Sequence, residues 1–432
     1  MANWQDHYNS KLVTAEEAVK CIQSGNRVVL GHACGEPQVL PTAMVERAQE
    51  LKNVEVVHMV AMGKGLYAQP EMEGHFRHNG LFIGGPTRQA VKERRADYTP
   101  CFFSEIPALF RDGLLPVDVA MVTVSPPDRF GFCNLGVSVD YTLQAIKSAK
   151  TVIAEVNPNM PRTHGNSVVR VEEIDFFVPC NLPITELAPP KITDIETEIG
   201  RNVAKLVEDG ATLQLGIGAI PDAVLHFLAN KNDLGIHSEM FSDGVVDLAE
   251  AGVINCSKKS LHKGKMVVTF LMGSKKLYQW VHENPMVEMY PVDYVNDPYV
   301  IMKNDNMVAI NSALQVDVLG QVAADTLGPV QFSGVGGQVD FVRGAARSKN
   351  GKAIIALPST AAKGTVSRIV PVLDLGASVT TSRNDVDYVV TEYGIAALKG
   401  KTVLQRMEAL ISIAHPDFRN DLKEKARAIY YA

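Results

Sequence analysis

The sequence predicts an α/β protein made of two homologous open α/β halves with mostly parallel sheets. Three observations predict it. Short β-branched runs bounded by glycine or proline alternate with helical stretches along the chain. The runs are hydrophobic almost throughout, as strands buried on both faces must be. Several segments of the first half also recur, in the same order, in the second. The length of 432 residues fits this reading. Single cores stop growing near roughly 250–300 residues, so more than one domain is expected.

The elements follow in order. A helix is expected over Thr14–Ser24, with Thr14 as N-cap, Glu16 and Glu17 in the first turn and Gly25 as stop. Strands are expected at Arg27–Leu30, Val54–Val60, Leu81–Ile83, Val117–Val124 and Thr151–Val156. The second half repeats the design. A helix over Asp194–Glu208 ends at Gly210, and strands follow at Thr212–Leu215, Met266–Leu271, Met307–Ile310, Ala353–Leu357 and Val386–Thr391. The run from Gly25 matches that from Asp209 as glycine, buried strand, glycine turn and helix. Val117 onward echoes Asn306 onward, and Lys150 onward echoes Lys352 onward. The offset stays at roughly 185–200 residues. The proline-rich stretch from Asn181 to Lys191 suits a linker, so the halves are placed at 1–185 and 186–432.

Composition excludes several classes. At 46% hydrophobic, 21% charged and a mean hydropathy of +0.01, the chain reads as a soluble globular protein. A net charge of −6 gives no reason to expect nucleic acid. No apolar run approaches the ~20 residues that span a bilayer. The first eight residues, Met1 to Tyr8, lack the basic patch and apolar core of a signal peptide. The six cysteines, Cys21, Cys34, Cys101, Cys133, Cys180 and Cys256, form no CxxC motif and fit reduced thiols in a cytoplasm.

Five places carry candidate chemistry. Gly216-Ile217-Gly218-Ala219-Ile220-Pro221 is a glycine turn between strand and helix. It either presents backbone N–H groups to an anion or is a tight βα turn with no ligand. It is not GxGxxG, so no dinucleotide site is indicated. Gly334-Val335-Gly336-Gly337 lacks the lysine of a P-loop. Its amides either form an oxyanion hole or mark a close backbone crossing. Glu239 follows a strand-like run and precedes a glycine turn, where open α/β sheets place ligands. It is either catalytic or a solvated loop residue. Asn311 follows four apolar residues, so its amide must find partners, either a developing oxyanion or a neighbouring loop. His32, after the first strand, either reaches a substrate oxygen or is satisfied locally. His75-Phe76-Arg77-His78 has His-x-x-His spacing but no third ligand nearby, so no metal is expected. No GxSxG elbow is present.

Taken together, Gly216–Val224, His237–Leu248, Ala309–Val322 and Ser333–Phe341 resemble the acetyl-CoA hydrolase/transferase branch of the class I CoA-transferases. Within it, the chain looks closest to the 4-hydroxybutyrate and butyryl-CoA:acetate CoA-transferases. The resemblance covers essentially the whole chain. It implies CoA transfer between a short-chain acyl-CoA and a carboxylate such as acetate. It makes Glu239 the nucleophile that becomes a glutamyl-CoA thioester, and places Asn311 and Gly336 at oxyanion positions. It assigns Gly216, Ile217, Gly218, Ala219, Ile220 and Gly337 to CoA contacts. His32 and Gln214, read as corresponding strand ends, are assigned to the acyl substrate. It further implies a homodimer or higher homo-oligomer and no cofactor beyond coenzyme A as co-substrate; the cysteines and the short apolar runs make a cytoplasmic protein with no membrane partner the expectation. An acyl-CoA hydrolase using the same glutamate is the alternative. A non-catalytic acyl-CoA-binding protein is a more distant one.

Overall fold

The computed structural model describes residues 4–430. They form two compact units. The first comprises Met1–Leu187 and Val267–Val295, the second Ala188–Met266 and Asn296–Ala432. The change of unit at 187/188 falls within an irregular stretch, residues 180–193, and the chain returns to the first unit for 267–295. Of the first eight residues, 1–3 lie outside the described part; Trp4–Ser10 is helical.

The first unit is built on seven strands: β1 Arg27–Leu30, β2 Val54–Met59, β3 Phe76–Phe82, β4 Ala96–Tyr98, β5 Val119–Val124, β6 Thr151–Val156 and β7 Phe176–Pro179. Their order is β7-β6-β5-β1-β2-β3-β4, and every pairing is parallel. The second unit has β8 Thr212–Leu215, β9 Gly235–Ile236, β10 Met307–Ser312, β11 Lys352–Ala356, β12 Tyr388–Thr391 and β13 Gly394–Ala397. Their order is β9-β8-β10-β11-β12-β13, parallel except for the last pair.

The two topologies share a core. In each unit the first strand lies between the second and a later one, and at least two further strands extend the sheet beyond that later one. The run β2-β1-β5-β6-β7 corresponds to β9-β8-β10-β11-β12. Of these, β1, β5 and β6 with their counterparts β8, β10 and β11 lie in the segments whose sequences echo one another. Central strands are almost wholly apolar because both faces are covered: Val28, Val29 and Leu30 are buried, as are all six residues of β5, of which Thr123 alone is polar.

Four elements differ from the sequence reading by more than two residues; one of them, the helix expected over Asp194–Glu208, ends at Ala204. The first helix spans only Ala15–Ala18, capped by Thr14 Oγ1 accepting from the Glu17 N–H at 3.2 Å, before a 3₁₀ turn at Val19–Cys21. It stops early because Ile22 turns extended into the core, and the Arg47 guanidinium takes the carbonyls of Val19 and Ile22. The strand expected at Leu81–Ile83 starts earlier, at Phe76. Its polar residues are paired: Asn79 donates to Glu55 at 2.8 Å, and Arg77 pairs with Asp97. His78 bonds the Val56 carbonyl at 3.1 Å and His75 that of Leu51 at 2.8 Å, so the His-x-x-His pair serves backbone groups. The strand expected over Met266–Leu271 ends at Val268. Thr269 and Leu271 instead bond the backbone of Val139 and Val137, at 3.0 and 2.8 Å. Among the described residues no helix is long and apolar enough to cross a membrane.

Candidate functional site

The second unit gathers most of the candidate residues at the carboxyl ends of its parallel strands, where such sheets bind ligands. β8 ends at Leu215 and enters the glycine turn. Gly218, at φ +115°, adopts a backbone that side-chain-bearing residues avoid, and it precedes the Ala219–His226 helix. Ile217 is exposed at the tip of this turn. The Asp222 carboxyl, raised by burial, accepts from Ser242 Oγ at 3.1 Å, tying this helix to the segment that follows Glu239.

Strand β9 is two residues long and, among the described residues, pairs with β8 at the edge of the sheet. Beyond it the His237 N–H reaches the Leu213 carbonyl at 3.1 Å, and Ser238 Oγ reaches that of Leu215 at 3.2 Å. Glu239 follows, half-buried, with the fully buried Met240 and Phe241 next in the chain. Its Oε2 accepts from Asn296 Nδ2 at 3.2 Å.

Gly337 completes this corner. A Cβ on Gly337 would lie 2.1 Å from Glu239 Oε2 and 2.2 Å from Asn296 Nδ2, so only glycine leaves room for the carboxylate. Gly337 caps the Gln338–Arg347 helix, after Gly336 at φ +57°. That helix lies close to the Pro298–Ile301 turn because Gly344 has no side chain. A Cβ there would meet Ile301 Cγ2 at 2.4 Å. The close approach holds the helix N-terminus, and its orphan N–H groups, beside Asn296 and Glu239. Gln338 Nε2 donates to the Ser312 carbonyl at 2.9 Å, fastening the same helix to the end of β10.

The amide of Asn311 is engaged with that of Gln214. Asn311 Nδ2 donates to Gln214 Oε1 at 3.0 Å, and Gln214 Nε2 to Asn311 Oδ1 at 3.2 Å. The side-chain amide on the Glu239 carboxylate therefore belongs to Asn296, which the sequence reading did not single out. Asn296 is fully buried. Its only sequence signal is a polar residue opening the Asn296-Asp297-Pro298 start of a short helix.

His32 lies in the first unit. It sits two residues beyond β1, in register with Ile217, whereas Gln214, the third residue of β8, is matched by Val29. The two are thus not equivalent strand-end positions, because the shared glycines, Gly31 and Gly216, set the register. His32 is fully buried, and its Nδ1 lies 3.1 Å from Asp140 Oδ2. Asp140 also accepts from Ser138 Oγ at 2.5 Å and Thr142 Oγ1 at 3.1 Å, so it acts as acceptor throughout and His32 carries its proton on Nδ1. Phe103, Tyr141 and Phe270 surround the ring, with Phe270 at 4.5 Å between centroids.

Thiol chemistry is disfavoured. Burial pushes Cys34 and Cys180 up to about 11 and Cys133 up to about 12. Among the described residues no group of three or more His, Cys, Asp or Glu side chains is placed to hold a metal ion.

Known protein families and structures resemble this chain over most of its length. Residues 1–187 match the acetyl-CoA hydrolase/transferase N-terminal domain, and residues 273–426 the C-terminal domain. The chain is 64% identical to a 4-hydroxybutyrate coenzyme A transferase of Clostridium kluyveri, over 97% of this chain and 98% of that protein. It is 39% identical to a butyryl-CoA:acetate CoA-transferase of Anaerostipes caccae, over 98% and 97%. It superposes on the crystal structure of a 4-hydroxybutyrate CoA-transferase from Porphyromonas gingivalis with a TM-score of 0.86 at 46% identity, covering 99% of this chain and 100% of that one. The chain belongs to the acetyl-CoA hydrolase/transferase family.

Proposed function

We propose that this chain is a CoA-transferase that moves CoA between a short-chain acyl-CoA, 4-hydroxybutyryl-CoA or butyryl-CoA, and a carboxylate such as acetate. The observation that carries the reading is the Glu239 carboxylate, bonded by Asn296 and pressed against the Cβ-less Gly337 at a helix N-terminus. The names of the relatives point the same way.

In the first step a Glu239 carboxylate oxygen attacks the acyl thioester carbonyl. The C–S bond breaks, leaving a mixed anhydride and CoA thiolate. The thiolate attacks the glutamyl carbonyl, giving a glutamyl-CoA thioester and the free carboxylate of the donor acid. An acceptor carboxylate then attacks that thioester, and released thiolate takes the acceptor's acyl group, restoring Glu239. A carboxylate suits this exchange because it is already ionised and its thioester matches the substrate in energy. Each step passes through a tetrahedral oxyanion. Asn296, the amides of Gly336 and Gly337, and Asn311 are the donors we assign to it. The Gly216, Ile217, Gly218, Ala219 and Ile220 turn and Gly337 are assigned to CoA, and His32 and Gln214 to the acyl group. Buried Met240 and Phe241 next to the nucleophile oppose hydrolysis by excluding water. We also place the protein in a cytoplasm, as a homodimer or higher homo-oligomer. The six cysteines are free thiols, which fits a reducing compartment.

Intact-protein mass spectrometry after mixing with butyryl-CoA tests the reading. A CoA-sized adduct is expected that disappears with borohydride and never forms in Glu239→Ala. Steady loss of butyryl-CoA to water without an adduct would identify a hydrolase instead. Absence of both adduct and turnover would point to a binding protein.

A further inference from the structure

A buried lysine lies at the outer edge of the short strand that leads to the nucleophile. In parallel pairing, Gly235 and His237 direct their N–H groups to β8, bonding Ala211 and Leu213 at 2.9 and 3.1 Å. Leu234 and Ile236 therefore face outward, at the edge of the six-stranded sheet. The outward groups of Leu234 are met by the segment after the Asp243–Glu250 helix. Its N–H goes to Val253 at 2.9 Å, and its carbonyl accepts from Asn255 and Cys256 at 3.1 and 3.0 Å. Among the described residues, the donor that reaches the carbonyl of Ile236 is a side chain. It belongs to Lys259: its Nζ is 2.8 Å from that oxygen and 2.7 Å from the carbonyl of Lys265, with the residue only 3% exposed. The position is built. A Cβ on Gly235 would stand 2.5 Å from Lys259 Cγ, so glycine makes the groove for the lysine stem.

We propose that Lys259 is a positioning residue for Glu239, its ammonium replacing the ladder donor that a neighbouring strand would give Ile236. Ile236 is three residues before Glu239. Backbone bonds from the β8 side set the strand sideways, and Lys259 sets it from the outer side. Placing a charged group in a buried position is costly unless its donors are matched, and these two carbonyls match two of its protons. The proposal rests on Glu239 being the nucleophile.

The test compares Lys259→Met, Lys259→Arg and Glu239→Ala in the full chain, following the rate of CoA-adduct formation from butyryl-CoA, kcat and KM. Lys259→Met is expected to slow adduct formation and lower kcat by about 100-fold, the scale of an ångström-level misplacement, with KM for butyryl-CoA little changed. Lys259→Arg, which keeps N–H donors, is expected to recover part of that loss. A folded Lys259→Met protein that forms adduct at the parent rate, or one whose only change is a raised KM, overturns the proposal. Should Lys259→Met not fold, Gly235→Ala probes the same contact by displacing the lysine stem, and parent kcat in that variant overturns it equally. Normal adduct formation in Glu239→Ala would instead sink the nucleophile assignment, a result separable from any outcome at Lys259.

Discussion

A methyl group at Gly337 would sit 2.1 Å from a Glu239 oxygen. Gly337→Ala must therefore displace the carboxylate or the helix start. We expect kcat to fall about 100-fold while the melting temperature moves by only a few degrees, since the change is local. Calorimetry and steady-state rates on one preparation decide it. Removing the amide partner with Asn296→Ala should cost about 100-fold to 1,000-fold in kcat if Asn296 also serves the oxyanion, the usual loss for one such donor. A loss confined to stability would show that Asn296 only packs. His32 presents a separate choice. With Nδ1 committed to Asp140, Nε2 is left as an acceptor suited to a substrate hydroxyl. His32→Ala should then cost more with 4-hydroxybutyrate than with butyrate, and equal losses on both would sink that role.

At the scale of elements, β2 and β3 carry two buried histidines whose charged forms the sheet resists. His58 is pushed down to about 3, first by burial and then by His32 nearby. His78 is pushed down to about 3, first by burial and then by His58. Ring geometry agrees for His58. Its Nε2–H serves the Gly31 carbonyl at 3.0 Å, and Nδ1 accepts from Tyr67 at 2.7 Å. The unfolded chain protonates these rings near pH 6.5, so it binds more protons than the fold below that value. Their contribution is thus complete above about pH 6.5 and is lost progressively as pH falls toward 3. Each ring should remove about 2 kcal/mol by pH 5. Melting temperature measured from pH 7 to 5 should drop, and His78→Leu should flatten the slope by about one proton. A melting temperature independent of pH over that range would refute this. The same strands show how polar residues hide an element. Phe76–Phe82 reads as a loop along half its length because Arg77, His78 and Asn79 look solvated, yet each has a partner on a neighbouring strand.

For the whole molecule, the notable feature is that the first unit is discontinuous. Residues 267–295 return to it, and Val139 and Asp140 bond the Thr269 carbonyl while the Leu187 N–H reaches Gly273 at 2.9 Å. Phe270 from this segment also packs on His32. A fragment ending at 187 would leave these groups bare. We expect residues 1–187 alone to lack a cooperative thermal transition, and a version carrying 267–295 on a linker to regain it. A cooperative transition in the shorter fragment would show that the returning segment is dispensable. The repeat of strand order between the units was legible beforehand because buried strands announce themselves by uninterrupted apolar runs. The return of 267–295 was not, since nothing in its composition distinguishes which sheet it joins.

What the sequence by itself determined about this protein is local in nature. The buried strands, the glycine turn at Gly216–Gly218, the Thr14 cap and the position of Glu239 just after a strand all depend on a few consecutive residues, and periodicity and turn chemistry act over that range. Only the tertiary structure decided who meets whom. Asn296 reaches Glu239 across 57 positions and His32 reaches Asp140 across 108. Gly337 closes on the carboxylate only because Gly344 lets its helix approach Ile301. Such contacts depend on how whole elements pack, and packing is settled by the summed burial of a core.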